Sequence, residues 1–77
     1  MRYVKDGRVM RVLMWPESKE EACVSAKWID DQTWETESGR EFPTDEEKRE
    51  VLRAAVQECQ RWGRKVTILD PQPWQRD

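Results

Sequence analysis

The stretch from Thr44 to Gly63, TDEEKREVLRAAVQECQRWG, carries the clearest structural signal in this 77-residue sequence. Thr44 is a favourable N-cap, and Glu47 three residues later completes a capping box. Gly63 is a favourable C-terminal stop. Between them, apolar residues recur at the spacing of one helical face: Val51, Leu52, Ala55, Cys59 and Trp62. The pattern predicts an amphipathic helix over about 45–62, with Trp62 in the core.

The beginning of the chain predicts a β-hairpin. Asp6-Gly7 lies between two alternating runs and is typical of a two-residue turn. In that register one face of the ribbon carries Tyr3, Met10, Val12 and Met14, and the other carries Val4, Val9, Leu13 and Trp15. The alternation predicts one strand from Val9 to Trp15, which Pro16 ends.

The same register sets like charges opposite each other. Lys5 faces Arg8, and Arg2 faces Arg11. Such pairs are unfavourable in a sheet. We therefore expect either a bulge that offsets the register or an anion bound at the hairpin.

The segment 17–30 fits two structures. Ser18 and Glu21 are spaced as a capping box that would begin a helix. Val24, Ala26 and Trp28 alternate with polar residues, as in a half-buried strand. We favour strands at about 23–29 and 33–37, joined in a hairpin that pairs Trp28 with Trp34.

A short buried strand at 66–69 and an extended Pro/Trp tail complete the predicted fold. The fold class is α+β: a small, mostly antiparallel sheet of four or five strands with the helix packed on one face. Residues 1–70 are predicted to form a single domain, and residues 71–77 the tail.

Composition favours a folded, cytoplasmic protein. Hydrophobic residues make up 36% of the chain and charged residues 39%, but five tryptophans are far more than a disordered chain carries. The first residues show no signal peptide, and we expect no membrane contact because no apolar run is long enough. Cys23 and Cys59 are predicted to be free thiols in a reducing compartment, with one disulfide as the alternative.

The residue inventory argues against catalysis. The chain has no histidine, no Cys-x-x-Cys pair and no glycine-rich phosphate loop. Paired acids such as Asp30 and Asp31 need a cleft before their pKa values are perturbed. We therefore predict that the protein is not an enzyme and uses no cofactor and no metal.

Tryptophan placement indicates protein binding. No periodic pattern requires Trp15 or Trp74, and tryptophan is enriched in binding hot spots. Together with Tyr3 they are the predicted contact residues for a protein partner, with a second copy of the chain as one candidate. The opposing interpretation is that each tryptophan seals one end of a small core.

Two other functions remain open. The basic hairpin favours a nucleic-acid-binding regulatory domain, although a pI near 5.2 opposes it. The residues predicted for that role are Arg2, Lys5, Arg8, Arg11, Arg64 and Lys65. An aromatic small-ligand binder is the third possibility.

One short segment resembles a known family. The junction from Gln60 to Ile68, QRWGRKVTI, looks like a helix-to-strand junction in a domain of conjugative-plasmid relaxase proteins. The resemblance implies no functional residues. Size and composition are also typical of accessory proteins of phages and mobile elements.

Overall fold

The computed structural model describes residues 1–76, which form seven short strands, two α-helices and one 3-10 turn. In chain order these are β1 (Arg2–Lys5), β2 (Arg8–Arg11), β3 (Met14–Pro16), β4 (Glu21–Ser25), α1 (Ala26–Asp30), β5 (Trp34–Thr36), β6 (Gly39–Glu41), α2 (Asp45–Arg61), β7 (Lys65–Leu69) and the 3-10 turn Pro73–Gln75. The predicted α+β class, with one long amphipathic helix, is confirmed.

The β1–β2 hairpin has the predicted register. Tyr3 pairs with Met10 and Val4 with Val9, without a bulge. Asp6 and Gly7 both have positive φ, 51° and 75°, as a type I′ turn requires. The like-charged pairs are therefore real neighbours in the folded chain.

The strands divide between two sheets where the sequence pattern predicted one sheet of four or five strands. The first sheet has the order β1-β2-β5-β6 and the second β3-β4-β7. Within residues 1–76 every strand pairing is antiparallel except that of β4 with β7. The run from Val9 to Trp15 breaks at Val12 and Leu13, where the chain passes from one sheet to the other. Alternation does not show where a strand changes partner.

The ambiguous segment 17–30 contains both a strand and a helix. β4 ends at Ser25, whose hydroxyl accepts a hydrogen bond from the Trp28 N–H at 3.1 Å and so caps α1. The strand predicted at 23–29 is therefore wrong beyond Ser25. The predicted pairing of Trp28 with Trp34 is also wrong, because Trp34 in β5 pairs with Glu41. Ser18 caps no helix, since its hydroxyl accepts N–H groups within a turn.

Helix α2 begins as predicted and ends one residue early. Thr44 and Glu47 form the reciprocal capping box, with N···O distances of 2.9 and 3.1 Å. Trp62 is the C-cap, with φ −87° and ψ 9°, and is 65% exposed. The prediction that Trp62 lies in the core is wrong because the backbone leaves helical geometry there, so helical spacing no longer sets the direction of its side chain.

One hydrophobic core connects both sheets and both helices. Its largest fully buried side chains are Trp34, Met10, Ile29, Val24 and Val51. Trp74, in the 3-10 turn, joins this core and is 7% exposed. The turn packs against α2, where Arg49 Nη1 donates to the Trp74 carbonyl at 2.8 Å. The tail predicted as extended over 71–77 thus folds back at residues 73–75, and Asp77 lies outside the described residues.

Neither helix in the described part of the chain is long and apolar enough to cross a membrane.

Candidate functional site

Carboxylates of the protein itself neutralise the like-charged pair near the hairpin turn. Lys5 Nζ lies 2.6 Å from Glu50 Oε2. Arg8 donates through Nη2 to Glu47 at 2.7 Å and through Nη1 to Glu41 at 3.3 Å. Glu47 and Glu50 belong to α2, so the helix supplies the anions that the hairpin sequence requires.

The pKa values follow from these contacts. The Thr44 N–H, and after it Arg8, stabilise the Glu47 carboxylate and lower its pKa from 4.5 to about 2. The hydrogen bond from Lys5 lowers the pKa of Glu50 and raises that of Lys5. Both carboxylates are therefore ionised near neutral pH and are committed to the hairpin–helix contact.

The pair at the other end of the hairpin has no such neutralisation. Arg2 and Arg11 face each other across β1 and β2 and are exposed. Neither forms an ion pair within residues 1–76. These two arginines are the part of the basic hairpin that is available to an external anion.

The six residues predicted for nucleic-acid binding do not form one patch. Lys5 and Arg8 are bound to α2. Arg64 and Lys65 lie at the start of β7, in the sheet that does not contain β1, and the Arg64 guanidinium carbon is 5.9 Å from the centroid of the Trp62 ring. Arg64 and Lys65 would extend the hairpin patch only if the last strand lay beside the first, but β7 pairs with β4.

The three residues predicted to contact a partner are likewise separated. Trp74 is buried in the core, so the interpretation that it seals the core is the correct one for this residue. The Tyr3 hydroxyl donates to Glu50 at 2.8 Å, and the Tyr3 ring lies 6.1 Å from that of Trp34. Trp15 alone of the three lies next to an exposed aromatic ring.

That ring belongs to Trp28, on α1. The Trp15 and Trp28 rings meet edge to face, with centroids 6.3 Å apart and an interplanar angle of 83°. Such pairs are stabilised beyond the area that they bury. Trp28 is 40% exposed, so the pair presents an aromatic surface to solvent.

The pair lies on the side of the second sheet that faces away from α2. Trp15, Cys23 and Thr67 stand in one row across β3, β4 and β7, while Ala22 and Val24 join the core on the opposite side. Leu69, two residues beyond Thr67, shares this side. We call the surface formed by the half-buried Trp15 and the exposed Leu13, Trp28 and Leu69 the aromatic face.

A groove of about 520 Å³ adjoins the aromatic face and is lined by Met1, Arg2, Arg11, Val12, Leu13 and Trp28. It brings Arg2 and Arg11, which have no ion pair within residues 1–76, beside an exposed indole and a leucine. The groove can therefore bind a ligand segment that carries negative charge next to an apolar or planar group.

The two cysteines are free and buried. Burial raises the pKa of both thiols, and at Cys23 the hydrogen bond to Glu17 raises it further. The Cys59 thiol lies 3.5 Å from the Met14 sulfur. A raised pKa disfavours the reactive thiolate at either position.

No protein-family model matches the chain, and comparisons with curated proteins and with solved structures found no match.

Trp28 is the site residue that the sequence pattern missed. The alternating pattern predicts that it pairs with Trp34 across two strands. The signal that would have found it is Ser25, a good N-cap placed before Ala26 and Ile29, which are the buried residues of α1. A helix that begins at Ala26 and buries those two residues directs Trp28 away from them.

Proposed function

We propose that the protein is a small non-catalytic protein-binding module of the inhibitor or adaptor type, and that it binds through the aromatic face. The observation that carries this proposal is the edge-to-face pair of the half-buried Trp15 and the exposed Trp28, on a sheet surface that the main helix leaves uncovered. Folding of a small domain favours burying such rings in the core. Indole rings at protein interfaces are frequent hot spots.

The charge beside the aromatic face indicates the chemistry of the partner. Arg2 and Arg11 line the groove next to Trp28 and have no ion pair within the described residues. A polypeptide segment with apolar side chains flanked by Asp or Glu would fill the groove and neutralise both arginines. We infer an acidic, apolar protein segment as the ligand.

Nucleic acid is the second candidate, favoured by one observation. Two arginines beside an exposed indole also match the phosphate contacts and stacking surface that bind single strands. The support is weaker because Lys5 and Arg8 are neutralised internally and the chain carries a net charge of −2. The small-ligand function, the cytoplasmic location and an origin in a phage or mobile element stay predictions.

A peptide selection tests the proposal. Short random peptides displayed on particles are selected against the immobilised protein, and the affinity of an enriched peptide is then measured from tryptophan fluorescence. We expect enrichment of apolar residues interspersed with Asp and Glu. Both Trp28→Ala and Arg11→Ala should weaken binding by about tenfold or more.

Phe42→Ala is the matched control, because Phe42 is 88% exposed and follows β6 in the other sheet. It should leave peptide affinity unchanged. Equal binding by Trp28→Ala and the unsubstituted protein would remove the aromatic face as the site. Tight binding of random-sequence DNA or RNA that weakens steeply with salt, and that requires Arg2 and Arg11, would assign the groove to nucleic acid instead.

A further inference from the structure

In the part of the chain that the structure describes, four strands lie at sheet edges, and three of them carry features that discourage pairing with another chain. β1 carries charge in Arg2 and Lys5. β6 has only three residues, two of them charged, and β3 ends at Pro16. The fourth, β7, reads KVTIL, with one charge at its first residue and no proline.

The backbone groups at the outer edge of β7 can be identified. The Lys65 N–H donates to the Glu20 carbonyl at 2.7 Å, so Lys65 faces β4. Successive residues of a strand direct their N–H and C=O groups to alternate edges. Thr67 and Leu69 therefore also face β4, while Val66 and Ile68 face outward, where no strand within residues 1–76 pairs with them.

We propose that a second copy of the chain binds to this edge, with the two β7 strands antiparallel about a two-fold axis at Thr67. In this register Val66 of each copy exchanges both backbone hydrogen bonds with Ile68 of the other. Thr67 faces Thr67 as a non-hydrogen-bonded pair, and Lys65 faces Leu69. The two three-stranded sheets become one six-stranded sheet.

The sequence of β7 is self-complementary in this register. Centring the pair on Thr67 matches all five residues of the strand, and a shift in either direction matches fewer. No like charges meet, and the basic end, Arg64-Lys65, lies beside the acidic end, Asp70, of the second copy. Threonine opposite threonine and valine opposite isoleucine are favourable cross-strand pairs.

A groove adjoins the same edge. It has a volume of about 410 Å³ and lies between α2 and β7, and its lining combines the apolar Leu52, Val56 and Ile68 with arginine and glutamine side chains of α2 and the 3-10 turn. Val66 and Ile68 share the side of the sheet that faces α2, since Val66 packs against the core. Pairing would place Val66 and Ile68 of the second copy beside this groove and cover it.

The proposed dimer uses the outer edge of β7, whereas the proposed function uses the aromatic face. Either proposal can therefore be wrong while the other holds. A two-fold axis perpendicular to the joined sheet leaves both aromatic faces on the same side. Dimerisation would then double the binding surface without covering it. Trp28→Ala is expected to lose peptide binding and to retain the dimer.

Disulfide trapping tests the register. Directly opposed residues of a non-hydrogen-bonded pair have Cα atoms roughly 4.5 Å apart, within the range that a disulfide bridges. Both variants are made in a Cys23→Ala background, because Cys23 lies directly beside position 67 on β4 and would compete for a new thiol there. Under mild oxidation Thr67→Cys should form a covalent dimer on a non-reducing gel. Glu35→Cys, at an exposed strand position in the first sheet, is the matched control and should stay monomeric. Equal cross-linking of both variants, or none of Thr67→Cys, would overturn the register.

Sedimentation equilibrium tests the association itself. Thr67→Lys sets two like charges directly opposite each other and should weaken the dimer by about tenfold or more. Thr67→Val, which keeps a β-branched residue, should retain it. Circular dichroism confirms that each variant is folded. A wild-type protein that stays monomeric at about 1 mM, or an unweakened Thr67→Lys dimer, would contradict the proposal.

Discussion

Arg8 shows how one basic residue of the hairpin becomes part of the folded structure. Its guanidinium carbon lies 4.7 Å from the centroid of the buried Trp34 ring, and its Nη2 lies 2.7 Å from Glu47. Arg2 has the same cross-strand environment in sequence but no ion pair in residues 1–76. Arg2 and Arg8 each lie opposite a like charge in the hairpin, but only Arg8 stabilises the contact between the hairpin and α2.

We expect Arg8→Ala to lower the midpoint of thermal unfolding by about 5 °C, because it removes the cation from the ring and leaves Glu47 without its counterion. Arg2→Ala should change the midpoint by less than about 2 °C. Differential scanning calorimetry of the two variants side by side checks this. Equal midpoints would mean that the hairpin–helix ion pairs contribute nothing measurable.

The lowered pKa of Glu47 predicts how the stability of the protein depends on pH. Its pKa is 4.5 in the unfolded chain and about 2 in the folded protein, so the folded state releases this proton more readily. The ionised Glu47 carboxylate therefore contributes fully to the free energy of unfolding above pH 4.5, and this contribution is lost as the pH falls toward 2. In urea titrations at several pH values, Glu47→Gln should lose less stability on acidification than the wild type. Parallel pH profiles would argue that Glu47 has an ordinary pKa.

Strand β4 ends at Ser25, and helix α1 begins at the next residue. Its hydroxyl accepts the Trp28 N–H at the first turn of α1, and the residue is buried. Ser25→Ala removes this cap and should lower the free energy of unfolding by about 1 kcal/mol. It should also shift the fluorescence of Trp28, whose position depends on α1. Ser38→Ala, exposed in the β5–β6 turn, is the control, and equal stability of the two variants would show that the cap is not needed.

The elements that sequence predicts correctly are those fixed by local chemistry. Asp6-Gly7 fixes the turn and thereby every pair of the first hairpin. Thr44 and Glu47 fix the start of α2. The segment 17–30 carries a pattern for a strand and a pattern for a helix, and the hydrogen bond from the Trp28 N–H to the Ser25 hydroxyl marks where the strand ends and the helix begins. Local pattern is insufficient where two local structures have similar free energies.

The candidate site was less predictable than the fold because it depends on which tryptophans remain exposed. Trp62 is predicted to lie in the core but is 65% exposed beyond the end of α2. Trp74 is predicted to contact a partner but is only 7% exposed. Their burial depends on contacts between segments distant in sequence. The sequence predicts Trp15 as a contact residue, and Trp15 lies on the aromatic face, but it does not predict its neighbour Trp28.

At the scale of the whole molecule, a small core depends on a segment near the end of the described chain. Trp74 belongs to the same cluster as Met10, Trp34 and Val51, and its turn packs across α2. The 3-10 turn therefore helps to complete the core that both sheets share. Trp74 thus belongs to the core although it lies beyond the predicted domain of residues 1–70.

Trp74→Ala should consequently destabilise the protein by about 3–5 kcal/mol, the usual cost of removing a buried tryptophan. A chain of this size has roughly 4–12 kcal/mol of stability in total, so the loss is a large part of it. Trp62→Ala removes the same side chain from an exposed position and should cost less than about 0.5 kcal/mol. Urea unfolding of the two variants makes the comparison. Similar losses for both would mean that the turn at residues 73–75 is not held against α2 in solution, and that residues 1–70 form the core by themselves.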